Sequence, residues 1–594
     1  MLDCKAFGGP PHMQEAAQTV RVLQFGVFEV DLRSGELYKH GLKIKLQDKP
    51  FQVLATLLER PGNVVTREEL RQKLWSEGTF VDFEHSINIA LNKLRAALGD
   101  SARNPRFIET LARHGYRFLA PVNRRLQASL SSGKIMLAVL PFDDLSHDPG
   151  QDYFSEGLTE EMITQLGRMH PRRLGVIART TAMRFKGTDK RADQIGQDLG
   201  VSYILEGSVR RTPDRVRITA QLIQVSDQTH LWAETYDRKL SDVLDIQRDV
   251  AKRIAKSLAV ELIPDQQMAL SRASTRDSQA HEAYLKGRYF WNKRTEEEIK
   301  KAIAYFEQAI ARDSGYALAY TGLCDCYETL ALYGGLPPGL AATRSRMAAT
   351  KALEIDGNLA EAHTSLAFAN LLFDWDWLGA EREFKRALDL NPNCVTGHHW
   401  YGLFLALMGR FEEAFVQMKH SLELDPLSLV LNSHVGWFLY YAHRFEQAVG
   451  QLRKTLEIDP HFPLTIYFLG LNFLQKGRID EAIAEFHTAQ RLSGGHPAAL
   501  AGLARAHGQA GRKTEGQQFL DRLRSLAKSR YISPYLVASA WMGLGDKGQA
   551  IDCLEKAFQE RSGWMAHLKV DPVFDGLRTD ARFENLLERV GLPP

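Results

Sequence analysis

A short stretch, DFEHSINIALNKLRAAL over residues 82–98, carries side chains that can read the edges of base pairs. Apolar residues recur at i, i+4, i+7 and i+11 and therefore share one side of a helix: Ile87, Leu91, Leu94 and Leu98. The opposite side and its flanks carry a histidine, amides and cations: His85, Asn88, Asn92, Lys93 and Arg95. Amides pair bidentately with adenine, and cations reach guanine or phosphate, so this helix is predicted to enter a DNA major groove. The alternative is a solvated helix face without a ligand.

The neighbouring elements favour the DNA-binding interpretation. Short β-prone runs separated by turn signals predict a small antiparallel sheet over residues 20–44. A helix is expected from Phe51 to Leu58, and a Thr66 to Glu69 capping box opens a second helix. Asp82 and Gly99 are suited to begin and end the third.

Two further strands are predicted around a turn at Arg113, His114 and Gly115. Three helices followed by a hairpin make a winged helix, whose hairpin can touch the neighbouring groove or backbone. Arg113, His114 and Arg117 are therefore added to the candidate DNA-binding residues.

Four features of residues 20–120 occur together: the leading sheet, the stretch PGNVVTREEL, the Asn92 to Leu98 pattern and the stretch ETLARHGYRF. In this combination the region resembles the OmpR/PhoB family of winged-helix DNA-binding domains. The resemblance implies DNA binding, although family members commonly carry more arginines on the recognition helix. Fewer than 20 residues precede the sheet, so no receiver domain is expected. The domain order resembles the ToxR/CadC arrangement, but without its membrane helix.

Composition indicates an ordinary globular protein of several domains. The chain has 594 residues, 44% hydrophobic and 25% charged, with a net charge of +3. No run approaches the ~18 apolar residues of a membrane helix and no signal-peptide pattern is present, so a cytoplasmic protein is expected. Five cysteines without CxxC spacing predict neither disulfides nor a metal site, and Cys324 and Cys326 are expected to be buried thiols.

Residues 134–262, after a polar linker at 121–133, alternate strand and helix patterns and predict an α/β domain. Two stretches of this region resemble the N-terminal domain of TolB and FlgO-like domains: AVLPFDDLSHDPGQDYFSEGLTEEM and YILEGSVRR. Phosphate-binding glycine motifs and a nucleophile elbow are missing from the sequence, so no catalytic residue or cofactor is predicted. A structural role is expected for the polar loop residues after the first strand: Asp143, Asp144, His147 and Asp148.

The last predicted helix of this domain carries an apolar stripe with two possible uses. It could pack on its own sheet or hold two chains together as a homodimer. The stripe consists of Val243, Ile246, Val250, Ile254 and Leu258.

Residues 275–562 repeat with a period of 34, seen in Pro392, Pro426 and Pro460 and again in Gly402, Gly436 and Gly470. This is the tetratricopeptide period, and about eight helix pairs followed by a cap at 563–594 are predicted. Four side chains are predicted to line the concave groove, with a place in the core as the alternative: His399, Tyr440, Tyr441 and Tyr467.

The sequence thus predicts a multidomain fold: a disordered tail at 1–19, a winged helix (α+β), an α/β domain and an all-α tetratricopeptide solenoid. The predicted function is a non-enzymatic transcriptional regulator that binds double-stranded DNA and, through its repeats, a protein or peptide. A homodimer is possible, and no membrane, metal or cofactor is predicted. The alternative is a scaffold whose winged helix contacts protein rather than DNA.

Overall fold

The computed structural model describes most of the chain between Val22 and Leu592 and divides it into two compact units, residues 1–131 and 132–594. The described residues are 22–25, 28–31, 36–39, 42–44, 46–75, 83–102, 105–111, 114–120, 123–124, 134–146, 152–212, 214–239, 242–258, 275, 277–293, 295–332 and 334–592. The predicted tail at 1–19 and four of the residues named above lie outside them: Asp82, Arg113, His147 and Asp148.

The first unit begins with an antiparallel sheet whose strand order is β4-β3-β2-β1-β8. Its fifth strand pairs with β1 and falls inside the predicted linker, so the sheet extends beyond the expected end at 120. The strands are β1 (Val22–Phe25), β2 (Phe28–Asp31), β3 (Glu36–Lys39), β4 (Leu42–Ile44) and β8 (Asn123–Arg124).

Three helices and a second, three-stranded sheet complete a winged helix, which confirms the predicted fold. The capping box between Thr66 and Glu69 is present, with backbone-to-side-chain distances of 2.7 and 3.1 Å. Gly99 adopts the left-handed conformation expected after the third helix, with φ +64°. The elements are α1 (Asp48–Glu59), β5 (Val64–Val65), α2 (Arg67–Leu74), α3 (Phe83–Leu98), β6 (Ile108–Leu111) and β7 (Gly115–Phe118), with sheet order β5-β7-β6.

Aromatic packing joins the two sheets of this unit. Phe25 lies 5.5 Å from Phe107 and 4.8 Å from Phe118, measured between ring centroids, and all three side chains are buried. Gly115 allows the wing strand β7 to approach β5, because a Cβ there would lie 2.1 Å from Val65 O. The leading sheet therefore supports the wing directly.

The second unit begins with an α/β domain whose sheet order is β11-β9-β12-β13-β14, with β10 beside β12. Strand β9 runs parallel to both of its neighbours, and β12, β13 and β14 form an antiparallel meander. The elements are β9 (Ile135–Val139), β10 (Asp143–Asp144), α4 (Asp152–Met169), β11 (Leu174–Val176), α5 (Arg179–Ala182), α6 (Ala192–Leu199), β12 (Tyr203–Arg211), β13 (Arg215–Gln224), β14 (His230–Lys239) and α7 (Val243–Ser257).

The apolar stripe of α7 packs on this sheet. Its members are all at most 7% exposed and belong to the same core cluster as the sheet residues: Val243, Ile246, Val250, Ile254 and Leu258. Of the two predicted uses, the dimer contact is therefore wrong, because the stripe cannot reach a second chain without unpacking its own domain.

Eight helix pairs follow among the described residues, and each packs antiparallel helices of about fifteen residues. The pairs are α8 (Ser278–Asn292) with α9 (Glu296–Arg312), α10 (Ala317–Leu332) with α11 (Pro338–Ile355), α12 (Ala360–Ala369) with α13 (Trp377–Leu390), α14 (Val395–Leu407) with α15 (Phe411–Leu424), α16 (Leu429–Tyr441) with α17 (Phe445–Ile458), α18 (Pro463–Gln475) with α19 (Ile479–Leu492), α20 (Pro497–Gln509) with α21 (Lys513–Leu526) and α22 (Pro534–Leu544) with α23 (Lys547–Gln559). Two 3-10 turns and a last helix end the chain: Gly563–His567, Pro572–Leu577 and α24 (Ala581–Val590).

The repeat period has a simple packing basis. A bulky side chain from the second helix of a pair lies against a glycine of the first, so that Leu452 packs on Gly436 and Phe486 on Gly470. A Cβ on Gly436 would lie 2.5 Å from Leu452 Cδ2, and one on Gly470 2.6 Å from Phe486 Cε1. The close approach of the two helices at these glycines explains why small residues recur with the period. Cys324 and Cys326 are also buried thiols, both 0% exposed.

The repeat array curls until its late repeats touch its early ones. The loop before the eighth pair reaches the first pair, where Arg530 and Glu296 form an ion pair of 3.2 Å. Near the C-terminus, Trp377 Nε1 donates a hydrogen bond of 3.0 Å to Val590 O. The array therefore closes around a lumen.

We expect Gly436→Ala to lower the free energy of unfolding by about 1 to 3 kcal/mol, because the added methyl group overpacks the contact with Leu452. Gly450→Ala is the matched control, since Gly450 lies in the helix Phe445–Ile458 and a methyl group added there would have no neighbouring atom within 4 Å. That change should stabilise the chain by up to about 1 kcal/mol through helix propensity. Urea unfolding followed by circular dichroism measures both, and equal effects would contradict the packing argument.

Candidate DNA interface and repeat lumen

The recognition helix Phe83–Leu98 buries its apolar stripe and exposes the opposite side. Four stripe residues are at most 3% exposed: Ile87, Leu91, Leu94 and Leu98. The exposed side carries His85, Asn88, Asn92 and Lys93, as the helical spacing predicts. Glu84 is the one carboxylate of this helix, and it forms an ion pair with Arg67. The outward face is thus polar without an unpaired carboxylate.

Ile89 also lies on this face and was missed in the sequence analysis. Its side chain is 42% exposed, although large apolar side chains are usually buried. It stands four residues after His85 and three before Asn92, so helical spacing alone could have placed it on that face. An exposed apolar group beside amides is suited to contact a thymine methyl group.

Asn88 is held in place by the wing. Tyr116 Oη donates a hydrogen bond of 3.2 Å to Asn88 Oδ1, and the Tyr116 side chain is 1% exposed. Burial raises the pKa of Tyr116, so its hydroxyl stays protonated and remains the donor. The Arg67 guanidinium lies 5.3 Å over the same ring. Asn88 therefore offers chiefly its amide N–H donors to an acceptor on DNA.

Arg95 does not lie on the outward face, and its predicted presentation to DNA is wrong. Its side chain is 8% exposed, and its Nη2 donates to Ile108 O at 2.9 Å and to Thr110 Oγ1 at 2.7 Å. The buried guanidinium binds the recognition helix to wing strand β6. Arg95 therefore positions the two reading elements relative to each other.

Asp100 adds a second link between helix and wing that the sequence analysis missed. Its carboxylate accepts backbone N–H groups of Arg106 at 2.7 Å, Phe107 at 3.3 Å and Ile108 at 2.8 Å. An Asp directly after the helix-ending Gly99 was the available signal. The Asp100 carboxylate therefore fixes the backbone where the wing begins.

The remaining predicted cations differ in their charge balance. Lys93 Nζ donates to the neutral Gln47 Oε1 at 2.7 Å, so this contact leaves its charge uncompensated. Arg117 is paired with Glu109 through Nε at 2.8 Å and Nη2 at 2.6 Å. His114 is exposed at the wing tip, and Arg113 lies outside the described residues. Lys93 is thus the stronger candidate for a phosphate contact.

The predicted groove residues lie in the lumen of the repeat array but do not face solvent. Tyr440 is 1%, Tyr441 2% and His399 9% exposed, and Tyr467 is half-buried. The C-terminal segment Gly563–Leu577 contacts Tyr440 and Tyr441. The prediction of an open aromatic groove is therefore wrong, and the alternative of core side chains holds for Tyr440 and Tyr441.

Hydrogen bonds attach this segment to the lumen wall. Tyr441 Oη lies 2.7 Å from His567 Nδ1, and the His567 ring stacks on Trp437 with centroids 5.0 Å apart. Tyr440 and Tyr535 donate to the Asp571 carboxylate at 3.3 and 2.8 Å. The segment therefore satisfies the hydroxyl groups that an open groove would present to water or to a partner.

The apolar side chains of the segment are buried in the fold. Met565, Leu568, Phe574 and Leu577 are all 0% exposed. Each such side chain contributes about 1.5 to 3 kcal/mol by burial, so the four together contribute at most about 6 to 12 kcal/mol. Displacing the segment would expose part of this surface and would therefore be costly.

Little space is left beside it. A cavity of about 30 Å³ remains among Trp437, Tyr467, Arg505 and Trp564. This volume is enough for about two water molecules. This part of the described lumen therefore has no room for a peptide.

Two histidines of the lumen, the buried His567 and the half-buried His434, give unfolding a pH dependence. Burial lowers the pKa of His567 to about 3 and that of His434 to about 4, while each titrates near pH 6.5 in the unfolded chain. The stabilising effect of the neutral rings is complete above about pH 6.5 and is lost as the pH falls toward 4, by about 1.4 kcal/mol per pH unit for each ring.

We expect His567→Gln to flatten the fall in unfolding free energy between pH 6.5 and 4.5. The control is His461→Gln, because His461 is exposed. Urea unfolding followed by tryptophan fluorescence measures the slope. Identical slopes in both variants would show that His567 is not buried as a neutral ring.

Three family models match parts of the chain. Residues 41–118 match the transcriptional regulatory protein C-terminal domain, 132–255 the second domain of HilA/YgeH-like transcriptional regulators, and 473–532 a tetratricopeptide repeat. The chain therefore carries an OmpR/PhoB-type winged helix, a HilA-like regulator domain and tetratricopeptide repeats. These matches confirm the first and third predicted resemblances, and the likeness of the middle domain to TolB and FlgO stays a prediction.

Curated relatives include both regulators and a cyclase. Putative adenylate cyclase 3 of Rhizobium meliloti (strain 1021) is 31% identical over 290 residues, 47% of this chain and 42% of that protein. Transcriptional regulator HilA of Salmonella typhimurium is 24% identical over 408 residues, 68% of this chain and 70% of that protein. The cholera toxin homolog transcriptional activator of Vibrio parahaemolyticus is 34% identical over 92 residues, 16% of this chain and 32% of that protein. The chain thus spans less than half of the cyclase relative.

Within the described residues, no helix has both the length and the apolar character that crossing a membrane requires.

Proposed function

We propose that this protein is a DNA-binding transcriptional regulator whose helix Phe83–Leu98 reads bases in the major groove. The outward face of that helix carries the proposal: it combines Asn88, Ile89, Asn92 and Lys93 with no unpaired carboxylate. Amides and an apolar group discriminate base pairs, whereas the lysine contacts phosphate. DNA binding places the proposed site of action in the cytoplasm, where a bacterial chromosome lies.

The arrangement of the reading helix supports the same role. Arg95 fixes it to the wing at 2.9 and 2.7 Å, and Tyr116 fixes the Asn88 amide at 3.2 Å. Side chains that are held before binding lose less entropy on forming base contacts. The competing function, a scaffold whose winged helix contacts protein, explains the fold equally well but not the amide-rich face.

We expect Asn92→Ala and Ile89→Ala to weaken binding to a selected site by about 1 to 3 kcal/mol and to relax base preference at one position each. Lys93→Ala, the control, should weaken selected and random duplexes alike, because phosphate contacts carry no sequence information. The measurement is fluorescence anisotropy of the full chain on duplexes recovered by in vitro selection. If Asn92→Ala loses the same factor on both duplexes, Asn92 does not read a base. A wild-type chain without salt-dependent duplex binding would favour the scaffold.

We infer that residues 132–594 form the input module of this regulator. The 290 residues aligned with the putative cyclase cannot fit within the 131 residues of the first unit, so more than half of that alignment lies in the second. A module that occurs both in a putative cyclase and in a transcriptional regulator is suited to transmit a signal, whatever domain responds to it. The closed lumen directs a protein or peptide partner to the outer surface of the repeats, and a homodimer stays a prediction without a contact assigned to it.

In the proposed function the protein acts by binding DNA and a partner, and it catalyses no reaction. The middle domain lacks the glycine-rich phosphate motifs of nucleotide-using enzymes. Asp144, predicted in a loop, ends the short strand β10 and accepts the Ser146 backbone N–H at 2.7 Å, as a structural turn residue does. We therefore expect no cyclic nucleotide from ATP or GTP with the full chain and Mg²⁺ or Mn²⁺, measured by chromatography. Product formation above a heat-denatured control would contradict this.

A further inference from the structure

The antiparallel meander of the second unit has one buried and one solvent-facing side. Val209, Val216 and Ile218 point into the core and are at most 2% exposed. Residues on the other side of the same strands are polar and include Arg210 and Arg217, both exposed. Among the described residues, no helix covers this outer side at its far end, where β12 ends and β13 begins.

Two like-charged pairs stand directly opposite each other at that end. The strand register places Arg210 of β12 opposite Arg217 of β13, and Arg215 of β13 opposite Lys239 of β14. Directly opposed residues on antiparallel strands point to the same side, with side chains about 5 Å apart. Four cations therefore share one small surface, which we call the basic sheet end: Arg210, Arg215, Arg217 and Lys239.

A single carboxylate orders this surface without neutralising it. Asp237 lies opposite Arg217 and accepts hydrogen bonds from Arg215 at 2.7 Å and Arg217 at 2.8 Å. Both guanidinium groups remain more than half exposed, at 57% and 58%. Two further carboxylates lie nearby on this side among the described residues: Asp214 in the adjoining turn, and Asp143 of β10, which pairs with Ser208 two residues before Arg210. Four cations thus stand against three carboxylates, which leaves an excess of one positive charge.

The charge arrangement costs stability in the isolated protein. Like charges directly opposite each other in a sheet are destabilising, whereas opposite charges there are stabilising. The neighbouring Arg211, which points to the other side, follows the ordinary pattern and pairs with Glu282 at 3.1 Å. A polyanion on the basic sheet end would relieve the repulsion.

We propose that the basic sheet end binds the phosphate backbone of the DNA that the winged helix reads. The inference rests on the proposed function and adds a second, sequence-independent contact. Neighbouring hydroxyls suit the same partner, since Thr219 and Thr235 lie 3.2 Å apart on the same side. Nine residues separate Arg124 from Lys134, so the chain between these two residues spans at most about 30 Å.

The salt dependence of DNA binding tests the proposal in the full chain. The slope of log K against log salt is negative, and each lost phosphate contact reduces its magnitude by about 0.9. For the triple variant Arg210→Gln, Arg217→Gln and Lys239→Gln we expect the loss of affinity between 50 and 200 mM salt to be about 40-fold smaller than in the wild type. Base preference should be unchanged, because the recognition helix is intact.

Lys252→Gln is the matched control, with an exposed cation removed from the helix that covers the other side of the sheet. It should leave the slope within error of the wild type. Without DNA, the triple variant should melt at the wild-type temperature or above, because like-charge repulsion has been removed. A lower melting temperature would assign the cations a structural role and overturn the proposal.

The remaining outcomes separate this proposal from the proposed function. A wild-type slope in the triple variant, with sequence-specific binding retained, overturns the second contact alone. A wild-type chain that binds no duplex overturns both. Binding of the wild type, and not of the triple variant, to vesicles of anionic phospholipid with no change on DNA would assign the basic sheet end to a membrane surface instead.

Discussion

A nearly buried ionic cluster joins the α/β domain to the repeats, and the rest of the second unit depends on it. Glu160 of α4 accepts from Arg288 of the first repeat helix at 2.9 Å and lies 3.5 Å from Arg179. Burial opposes its ionisation, but the two guanidinium groups hold its pKa below the usual value. Beside it, Arg168 pairs with Glu361 at 2.7 Å. Breaking one partner of such a pair leaves a buried charge, which is strongly destabilising. The cluster therefore fixes the α/β domain to the early repeats as one body.

This body has a functional consequence for signal transfer. Asp425, in a loop of the fourth helix pair, accepts from the Thr181 backbone N–H at 2.9 Å and from its hydroxyl at 2.7 Å. Asn393, one repeat earlier, donates to Leu174 O at 2.7 Å. Two successive repeat loops thus contact the edge strand β11 and the helix α5 that follows it. A partner that changes the curvature of the repeats would act on the sheet through these loops.

The sequence predicted whatever is local or periodic, and the limits of the prediction have physical causes. The capping box at Thr66 and the close approach at Gly436 depend on short spacing or on a repeat, and both are present. Periodicity placed the Arg95 backbone correctly on the flank of the helix. The direction of its side chain was predicted wrongly, because a long side chain can turn toward acceptors that periodicity cannot locate. Tyr441 was placed on the concave side, yet a segment more than a hundred residues later covers it. Contacts between a repeat and a non-repeating segment leave no trace in the repeat pattern.

The closed lumen also bears on how the chain is made. An open solenoid can build its core one repeat at a time as it leaves the ribosome, because each repeat contacts only its neighbours. Here Trp437 and Tyr441 pack against His567, and Trp377 hydrogen-bonds to Val590, so these contacts form only after residues 563–590 have been synthesised. Until then an aromatic surface is available to chaperones and to other nascent chains. Synthesis of residues 563–590 is therefore itself a folding step, and a chain cut short before Gly563 would carry every repeat and still lack a finished core.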